Sequence, residues 1–218
     1  MSVFTIDRDK CNGCGVCFEE CAEHVILIEE PKALPSLVEG GDLRCINCGA
    51  CVVVCPTGAL CHRAMKPEEC APISKRLLPS ATQLEHLMKS RRSIRTYKEK
   101  PVEREKLAKL IDIARYAPSA RNMRPVHWLV IVDREEVKRL GGMVADWMRS
   151  VLQAVPSLAD TLHWDVPVSA WDRGIDMLTH DAPHLIVAHA HPLGALPEVS
   201  CHIALTYMEL AAYSMGLG

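Results

Sequence analysis

The N-terminal part of the sequence contains one cysteine pattern twice. The runs CNGCGVCFEEC and CINCGACVVVC both follow the spacing C-x2-C-x2-C-x3-C. An offset of 34 residues, from Cys11 to Cys45, superimposes the two runs and also places Gly15 on Gly49. The pattern therefore indicates an internal duplication, and we expect one pseudo-symmetric domain rather than two separate ones.

Eight of the 11 cysteines belong to this duplication. They are Cys11, Cys14, Cys17 and Cys21 in the first copy and Cys45, Cys48, Cys51 and Cys55 in the second. Thiols three residues apart in a tight loop can surround one iron-sulfur cubane, and the intervening glycines let backbone amides approach the sulfurs. We expect the fourth cysteine of each copy on a short helix that follows the loop. The alternative is a pair of four-cysteine zinc sites, which usually join two short C-x-x-C pairs across a longer loop.

Residues 1–62 resemble the bacterial two-cluster ferredoxins. In those proteins the fourth cysteine of each run ligates the other cluster. The resemblance therefore implies two [4Fe-4S] clusters. The implied ligands are Cys11, Cys14, Cys17 and Cys55 for the first cluster, and Cys45, Cys48, Cys51 and Cys21 for the second. One departure is that Ala22 occupies the position that Pro56 has in the second copy.

Composition narrows the class of protein. The chain has 218 residues and a formal net charge of −2, which argues against a general nucleic-acid binder. No apolar run approaches the roughly 18 residues of a membrane span, and the N-terminus MSVFTIDRDK lacks the apolar region of a secretory signal. We therefore expect no membrane partner and a cytoplasmic location, where thiols stay reduced.

The pattern changes after a proline-containing linker, residues 63–80. Helical spacing and β-branched runs then alternate, which predicts an α+β or α/β arrangement. Helices are predicted from Ser80 or Thr82 to about Arg91, over 102–116, from about 134 and over 198–217, and strands over 126–133 and 184–190. The last helix has only a narrow polar stripe, so we expect it to be buried nearly all round, in the core or at a subunit interface. No G-x-G-x-x-G follows a strand, so a Rossmann fold has no support.

Two short stretches in this part carry candidate binding residues. The segment RRSIRTY places Arg91, Arg92 and Arg95 within five positions, with Ser93 between them. The loop APSARNMRP follows about 25 residues later and contains Asn122. Guanidinium groups match a phosphate bidentately, and an amide can both donate and accept hydrogen bonds. A solvated basic turn is the alternative interpretation of the first segment.

Together with DAPHLIV and the helix ending AAYSMGLG, these stretches resemble the nitroreductase family of FMN-dependent oxidoreductases over residues 81–218. The resemblance implies that the flavin phosphate and ribityl chain are bound by Arg91, Ser93 and Arg95, with Arg92 adding charge or a backbone contact. It also implies a flavin contact from Asn122, and Ser119 and Arg124 in the same loop are further candidate cofactor-binding residues. Arg124 stands where the family usually has glutamine.

The predicted fold class is accordingly α+β. A ferredoxin-like two-cluster domain, residues 1–62, precedes a nitroreductase-like domain, residues 81–218, with a mixed sheet and surrounding helices. Members of the family continue past the position of Gly218 into segments that flank the flavin ring. We therefore expect this chain to lack the C-terminal part of the flavin site.

The predicted function is that of an iron-sulfur flavoprotein oxidoreductase. Two [4Fe-4S] clusters would pass electrons to FMN and on to an organic acceptor such as a nitroaromatic or a quinone. The donor, reduced ferredoxin or NAD(P)H, stays open, and no catalytic residue is assigned. The resemblance also implies a homodimer. The alternative is an electron carrier whose second domain serves only for docking or dimerisation.

Overall fold

The computed structural model describes residues 2–218 and confirms the α+β class. The chain forms two compact units. The first comprises the residues up to Pro79 together with Ala120–Met123, and the second comprises Ser80–Ser119 and Arg124–Gly218. Within the described residues, no helix has both the length and the hydropathy needed to cross a membrane.

The first unit consists of short elements around two cysteine-bearing loops. Its strands and helices are β1 (Phe4–Ile6), α1 (Val16–Glu19), β2 (Ile26–Leu27), β3 (Ser36–Leu37), α2 (Gly41–Arg44), α3 (Ala50–Val53) and β4 (Leu60–His62). Strand β1 pairs antiparallel with β4, and β2 pairs antiparallel with β3. The segment after β4 holds two 3-10 turns, Pro67–Glu69 and Lys75–Leu77.

The duplication is visible in the backbone. Helices α1 and α3 are 34 residues apart, and so are the starts of β2 and β4. Each copy has left-handed backbone at the same three places, in the pairs Gly13 and Asn47, Gly15 and Gly49, and His24 and Gly58. Left-handed backbone is uncommon outside glycine, so its recurrence at matching positions reflects one loop shape used twice.

The fourth cysteine of each copy does not lie on the following helix, contrary to our expectation. Helix α1 ends at Glu19 and Cys21 follows it, whereas Cys17, the third cysteine, is on the helix. The second copy repeats this arrangement with α3 and Cys55. A helix of one turn that begins at a left-handed glycine is too short to reach the fourth thiol.

The core of the first unit lies between the strands and the two one-turn helices. Its most enclosed side chains come from both copies of the duplication, which explains why the unit forms one domain. They are Val3, Phe4, Cys17, Val25, Ile26, Val52 and Leu60. Full burial of a side chain of this kind contributes about 1.5–3 kcal/mol.

The second unit is richer in helix. Its elements are α4 (Ala81–Ser90), α5 (Arg104–Ala114), β5 (His127–Ile131), α6 (Arg134–Ala154), α7 (Ser157–Leu162), α8 (Asp165–Asp172), β6 (Leu185–His189) and α9 (Pro197–Ser214). Ser80 caps α4: its Oγ accepts from the backbone N–H of Gln83, whose side-chain oxygen accepts from the N–H of Ser80. The chain's four tryptophans all fall in this unit, at Trp128, Trp147, Trp164 and Trp171.

Strands β5 and β6 form an antiparallel pair, with Leu129 opposite Val187. Within the described residues every sheet has two antiparallel strands, which differs from the mixed sheet expected for the second part. Helices α5 and α9 pack together through Leu110, Ala114 and Met208. The small side chain of Ala114 at this crossing lets the two helices approach closely.

The second unit buries helix α9 on one face only, so its own core does not enclose the helix nearly all round, and burial at a subunit interface stays a prediction. Ser200, Ala204, Met208 and Ala211 are buried. On the other side Val199, Leu205 and Tyr207 are 47%, 38% and 40% exposed. The packing partners within the second unit therefore cover only part of a helix that is apolar on most of its surface.

Candidate functional site

Two cavities in the first unit are lined by the duplicated cysteines. One is lined by Cys21, Cys45, Cys48 and Cys51 together with apolar residues and His62. The other is lined by Cys11, Cys14, Cys17 and Cys55. Four thiols around each space supply a set of soft donors that suits a bound metal group.

The cysteine sets of the two cavities are crossed between the copies. Each cavity takes the first three cysteines of one run and the fourth cysteine of the other. These are the two sets that the ferredoxin resemblance implies. In the described part of the chain, no three His, Cys, Asp or Glu side chains converge closely enough to hold a single metal ion. The thiols line the two spaces and do not meet at one point.

Burial makes these thiols hard to ionise by themselves. Burial first, and then the charges of Cys48 and Cys21, raise the pKa of Cys51 to about 12. Burial also raises the pKa of Cys17. Because the thiolate is the form that ligates metal, binding must release these protons, and the positive charge of iron must compensate for the clustered sulfurs. The donor set therefore fits an iron-sulfur cluster in each cavity.

Backbone amides donate to the fourth sulfur of each run. The N–H of Val25 lies 3.4 Å from Sγ of Cys21, and the N–H of Ala59 lies 3.2 Å from Sγ of Cys55. Burial raises the pKa of Cys55, but hydrogen bonds from Thr57 and the backbone outweigh it, and the pKa is lowered overall. Amide donors of this kind stabilise thiolate charge on the ligands of a cluster.

Two side chains near the cysteines were missed in the sequence analysis. Nε2 of His62 lies 3.5 Å from Sγ of Cys45, and the hydroxyl of Thr57 lies 3.7 Å from Sγ of Cys55. Burial first, and then the charge of Arg63, lower the pKa of His62, which favours the neutral ring. The duplication could have drawn attention to His62, because the 34-residue offset aligns it with Ile28, and the two copies therefore differ in polarity at this position.

The basic segment follows helix α4 in the second unit. Nη1 of Arg91 donates to Oε1 of Glu209 at 2.8 Å, and Nη1 of Arg92 donates to the carbonyls of Lys89 and Arg91 at 2.6 and 2.7 Å. Ser93 and Arg95 are exposed. Glu209 partly neutralises Arg91, so the exposed guanidinium of Arg95 contributes more of the local positive charge.

These groups fit an anionic ligand. Three guanidiniums and one hydroxyl within residues 91–95 supply both charged and neutral donors to a phosphate. Arg91 keeps the N–H groups of Nε and Nη2 in addition to the one bound by Glu209. A flavin phosphate is therefore chemically compatible with the segment.

The loop candidates are divided between the two units. In the second unit the N–H of Arg124 donates to Oγ of Ser119 at 2.8 Å. Asn122 belongs to the first unit, where its Nδ2 lies 3.4 Å from the carbonyl of Cys48. Arg121, Asn122 and Arg124 all have φ near +50° (49°, 50° and 45°). Left-handed backbone at non-glycine residues costs about 1–3 kcal/mol, so the surrounding contacts must hold this loop in its conformation.

Comparisons with known proteins match both parts of the chain. The model of the nitroreductase family matches residues 88–218, and the model of the 4Fe-4S dicluster domain matches residues 10–59. An uncharacterized ferredoxin of Methanocaldococcus jannaschii is 34% identical over 67 residues, which is 29% of this chain and 82% of that protein.

A protein of Methanothermobacter thermautotrophicus, named as an NADH dehydrogenase/NAD(P)H nitroreductase, is 30% identical over 115 residues. The match covers 50% of this chain and 56% of that protein, so the chain spans about half the length of this relative. A crystal structure of a nitroreductase with bound FMN from Bacteroides fragilis aligns at 22% identity and a TM-score of 0.47, covering 62% of this chain and 66% of that one. Because the family model matches more than half of the sequence, the chain belongs to the nitroreductase family and carries a ferredoxin domain of the 4Fe-4S dicluster type before it.

Proposed function

We propose that the chain is an iron-sulfur flavoprotein oxidoreductase that moves electrons through its ferredoxin part to an organic acceptor at its nitroreductase part. The observation that carries this proposal is the pair of cavities with four cysteines each, in a chain whose remaining residues belong to the nitroreductase family. When bound, the clusters supply one-electron transfer, and FMN converts between one-electron and two-electron chemistry.

Residues 1–62 form the ferredoxin domain in this proposal, 63–80 the linker and 81–218 the flavin domain. The eight cysteines hold two [4Fe-4S] clusters in the crossed sets that line the cavities. Buried neighbours such as Val3 and Ile26 line the cavity that contains Cys45 and keep water from its sulfurs. Exclusion of water and the amide donors on the sulfurs are the means by which the chain sets the cluster potentials.

The flavin domain uses its basic segment as a phosphate anchor. Arg95 and Ser93 donate directly to the phosphate, while Glu209 and the carbonyls at the end of α4 hold Arg91 and Arg92 in place. In the loop that follows α5, Ser119 fixes the backbone at Arg124 and Asn122 supplies an amide to the flavin edge. The chain then contributes binding and orientation of the acceptor, with no nucleophile required.

Nitroaromatics and quinones are the proposed acceptors, and reduced ferredoxin or NAD(P)H the proposed donor. A nucleic-acid or membrane partner forms no part of the proposal. We also propose a homodimer in which the exposed side of α9, with Val199, Leu205 and Tyr207, is covered by a second copy. Sedimentation of the purified protein at two concentrations measures this directly, and a monomer at both would contradict it.

Cofactor analysis of the anaerobically purified protein tests the proposal. We expect about eight irons and eight sulfides per chain from two cubanes, and about one non-covalent flavin. Iron and sulfide without flavin, and without affinity for added FMN, would support an electron carrier with a docking domain instead. Bound zinc in place of iron would contradict the proposal for the first unit.

A pair of double variants tests the phosphate anchor. Arg91→Ala combined with Arg95→Ala should lower flavin occupancy and leave the iron content unchanged, because the substitutions lie in the other unit from the cysteines. Arg104→Ala combined with Arg139→Ala removes the same charge from exposed positions on other helices and should leave flavin occupancy unchanged. Equal occupancy in the two double variants would remove the assignment.

A further inference from the structure

His62 directs one ring nitrogen at a cysteine of the second set. Its Nε2 lies 3.5 Å from Sγ of Cys45, and its side chain is only 3% exposed. A polar group buried to this extent costs free energy unless it is hydrogen-bonded. The sulfur of Cys45 is the partner that Nε2 has in the structure.

The position of the ring proton follows from the other nitrogen. The backbone N–H of Ala64 donates to Nδ1 of His62 at 3.0 Å. A backbone amide can only donate, so Nδ1 offers its lone pair and, in the neutral ring, the proton is on Nε2. His62 therefore donates an N–H to Cys45, whose sulfur accepts.

The backbone around His62 holds this geometry. His62 is the last residue of β4, and its N–H donates to the carbonyl of Met65 at 3.0 Å. The N–H of Met65 returns a bond to the carbonyl of His62 at 3.1 Å. These two bonds hold the backbone of His62, and the N–H of Ala64 orients the ring through Nδ1.

The first copy provides an internal comparison. The 34-residue offset pairs Cys45 with Cys11 and His62 with Ile28. Ile28 lines the cavity that contains Cys11, as His62 lines the cavity that contains Cys45. An isoleucine cannot donate a hydrogen bond, so this donor is present in one copy of the duplication and replaced by a hydrocarbon in the other.

We propose that His62 is a positioning residue that acts through Cys45 to raise the reduction potential of the cluster held by the second cysteine set. The inference rests on the proposed assignment of two clusters. Reduction adds one electron to the cluster and its thiolates, with no bond made or broken. An N–H dipole aimed at a ligand sulfur stabilises the added negative charge and so favours the reduced state.

A redox titration of the anaerobic holoprotein, followed by electron paramagnetic resonance with dithionite as reductant, tests the proposal. His62→Leu should lower the midpoint of one cluster by an amount equivalent to about a tenfold change in the one-electron equilibrium constant, or ~59 mV. His62→Gln keeps an N–H donor and should restore most of the shift. A steric role alone would make both variants behave alike.

Thr57→Val is the matched control, since it removes the hydroxyl beside Cys55 of the first cysteine set. It should leave the cluster that responds to His62→Leu at its wild-type midpoint. If His62→Leu fails to retain iron, His62→Met serves as the alternative variant, because methionine is flexible and has no hydrogen-bond donor. The same lowering of the midpoint is expected for it. Unchanged midpoints in a fully loaded non-donor variant overturn the role of His62. A wild-type protein with iron for only one cluster contradicts the two-cluster assignment instead.

Discussion

Substitution of Gly13 by alanine should weaken the first cysteine loop more than the same change at other left-handed glycines. Gly13 has φ +67°, and a Cβ there would lie 2.7 Å from Cα of Lys32 and 2.8 Å from its carbonyl oxygen. Gly49, at φ +76°, would meet the thioether of Met65 at 2.7 Å. Gly40, at φ +68°, has nothing within 4 Å of the added atom. The three positions share the backbone strain and differ in what surrounds them.

The magnitudes follow from these distances. Left-handed backbone costs an alanine about 1–2 kcal/mol, which is the whole expected effect at Gly40. Overpacking adds about 1–3 kcal/mol where neighbours cannot move. At Gly13 the neighbour is backbone, so the full addition applies, whereas the flexible side chain of Met65 can rotate away from Gly49. We therefore expect the order of stability loss to be Gly13→Ala, then Gly49→Ala, then Gly40→Ala.

The rate at which the visible absorbance of the clusters disappears in guanidinium chloride, under anaerobic conditions, measures this order. An addition of about 1–3 kcal/mol corresponds to roughly a 5- to 150-fold faster loss for Gly13→Ala than for Gly40→Ala, if it acts wholly on the unfolding barrier. Equal rates for these two variants would show that the loop at Gly13 can move away from Lys32, and would refute the reasoning.

Three further outcomes follow from local features. Leu60→Ala should destabilise the first unit by about 2–5 kcal/mol, because Leu60 is only 1% exposed. Leu43 is 88% exposed, so Leu43→Ala should change the stability by no more than about 0.5 kcal/mol, and the same absorbance assay compares the two variants. Ser80→Ala should cost the second unit about 1 kcal/mol by removing the cap of α4, measured as a shift in the urea midpoint of tryptophan fluorescence, with an unshifted midpoint contradicting the cap. Burial raises the pKa of Asp176, but hydrogen bonds from Thr179 and nearby amides outweigh it and lower the pKa below 3.8 overall. This carboxylate therefore contributes stability that is present above that value and is lost as pH falls through its lower folded-state pKa, so Asp176→Asn should flatten the fall in tryptophan-monitored stability as the pH drops below 3.8. An equally steep change in the variant would rule out this carboxylate as its source.

The sequence predicted those elements that local patterns determine. Ser80 does cap α4, and the β-branched runs after Pro125 and Pro183 form β5 and β6. In each case the signal lies within one turn or one strand, where spacing determines which side chains share a face. The two crossed cysteine sets that line the cavities were implied by the resemblance to the two-cluster ferredoxins, and spacing alone did not give them.

Features that depend on distant residues were not predicted. Arg91 is bound by Glu209, which is 118 positions away, and no local pattern links the two. Hydropathy shows that α9 can be buried, but not whether this chain or a second subunit supplies the covering elements. The contact of Nε2 of His62 with Sγ of Cys45 likewise joins residues 17 positions apart. A motif built on cysteine spacing contains no information about that bond.

The crossing of the cysteine sets makes the two halves of the ferredoxin domain mutually dependent. Either half alone would supply three cysteines of one cavity and a single cysteine of the other, and could complete neither set. One half of this domain could therefore form both sets only as a pair of identical molecules exchanging their last cysteines. Joining two such copies in one chain makes their association independent of protein concentration.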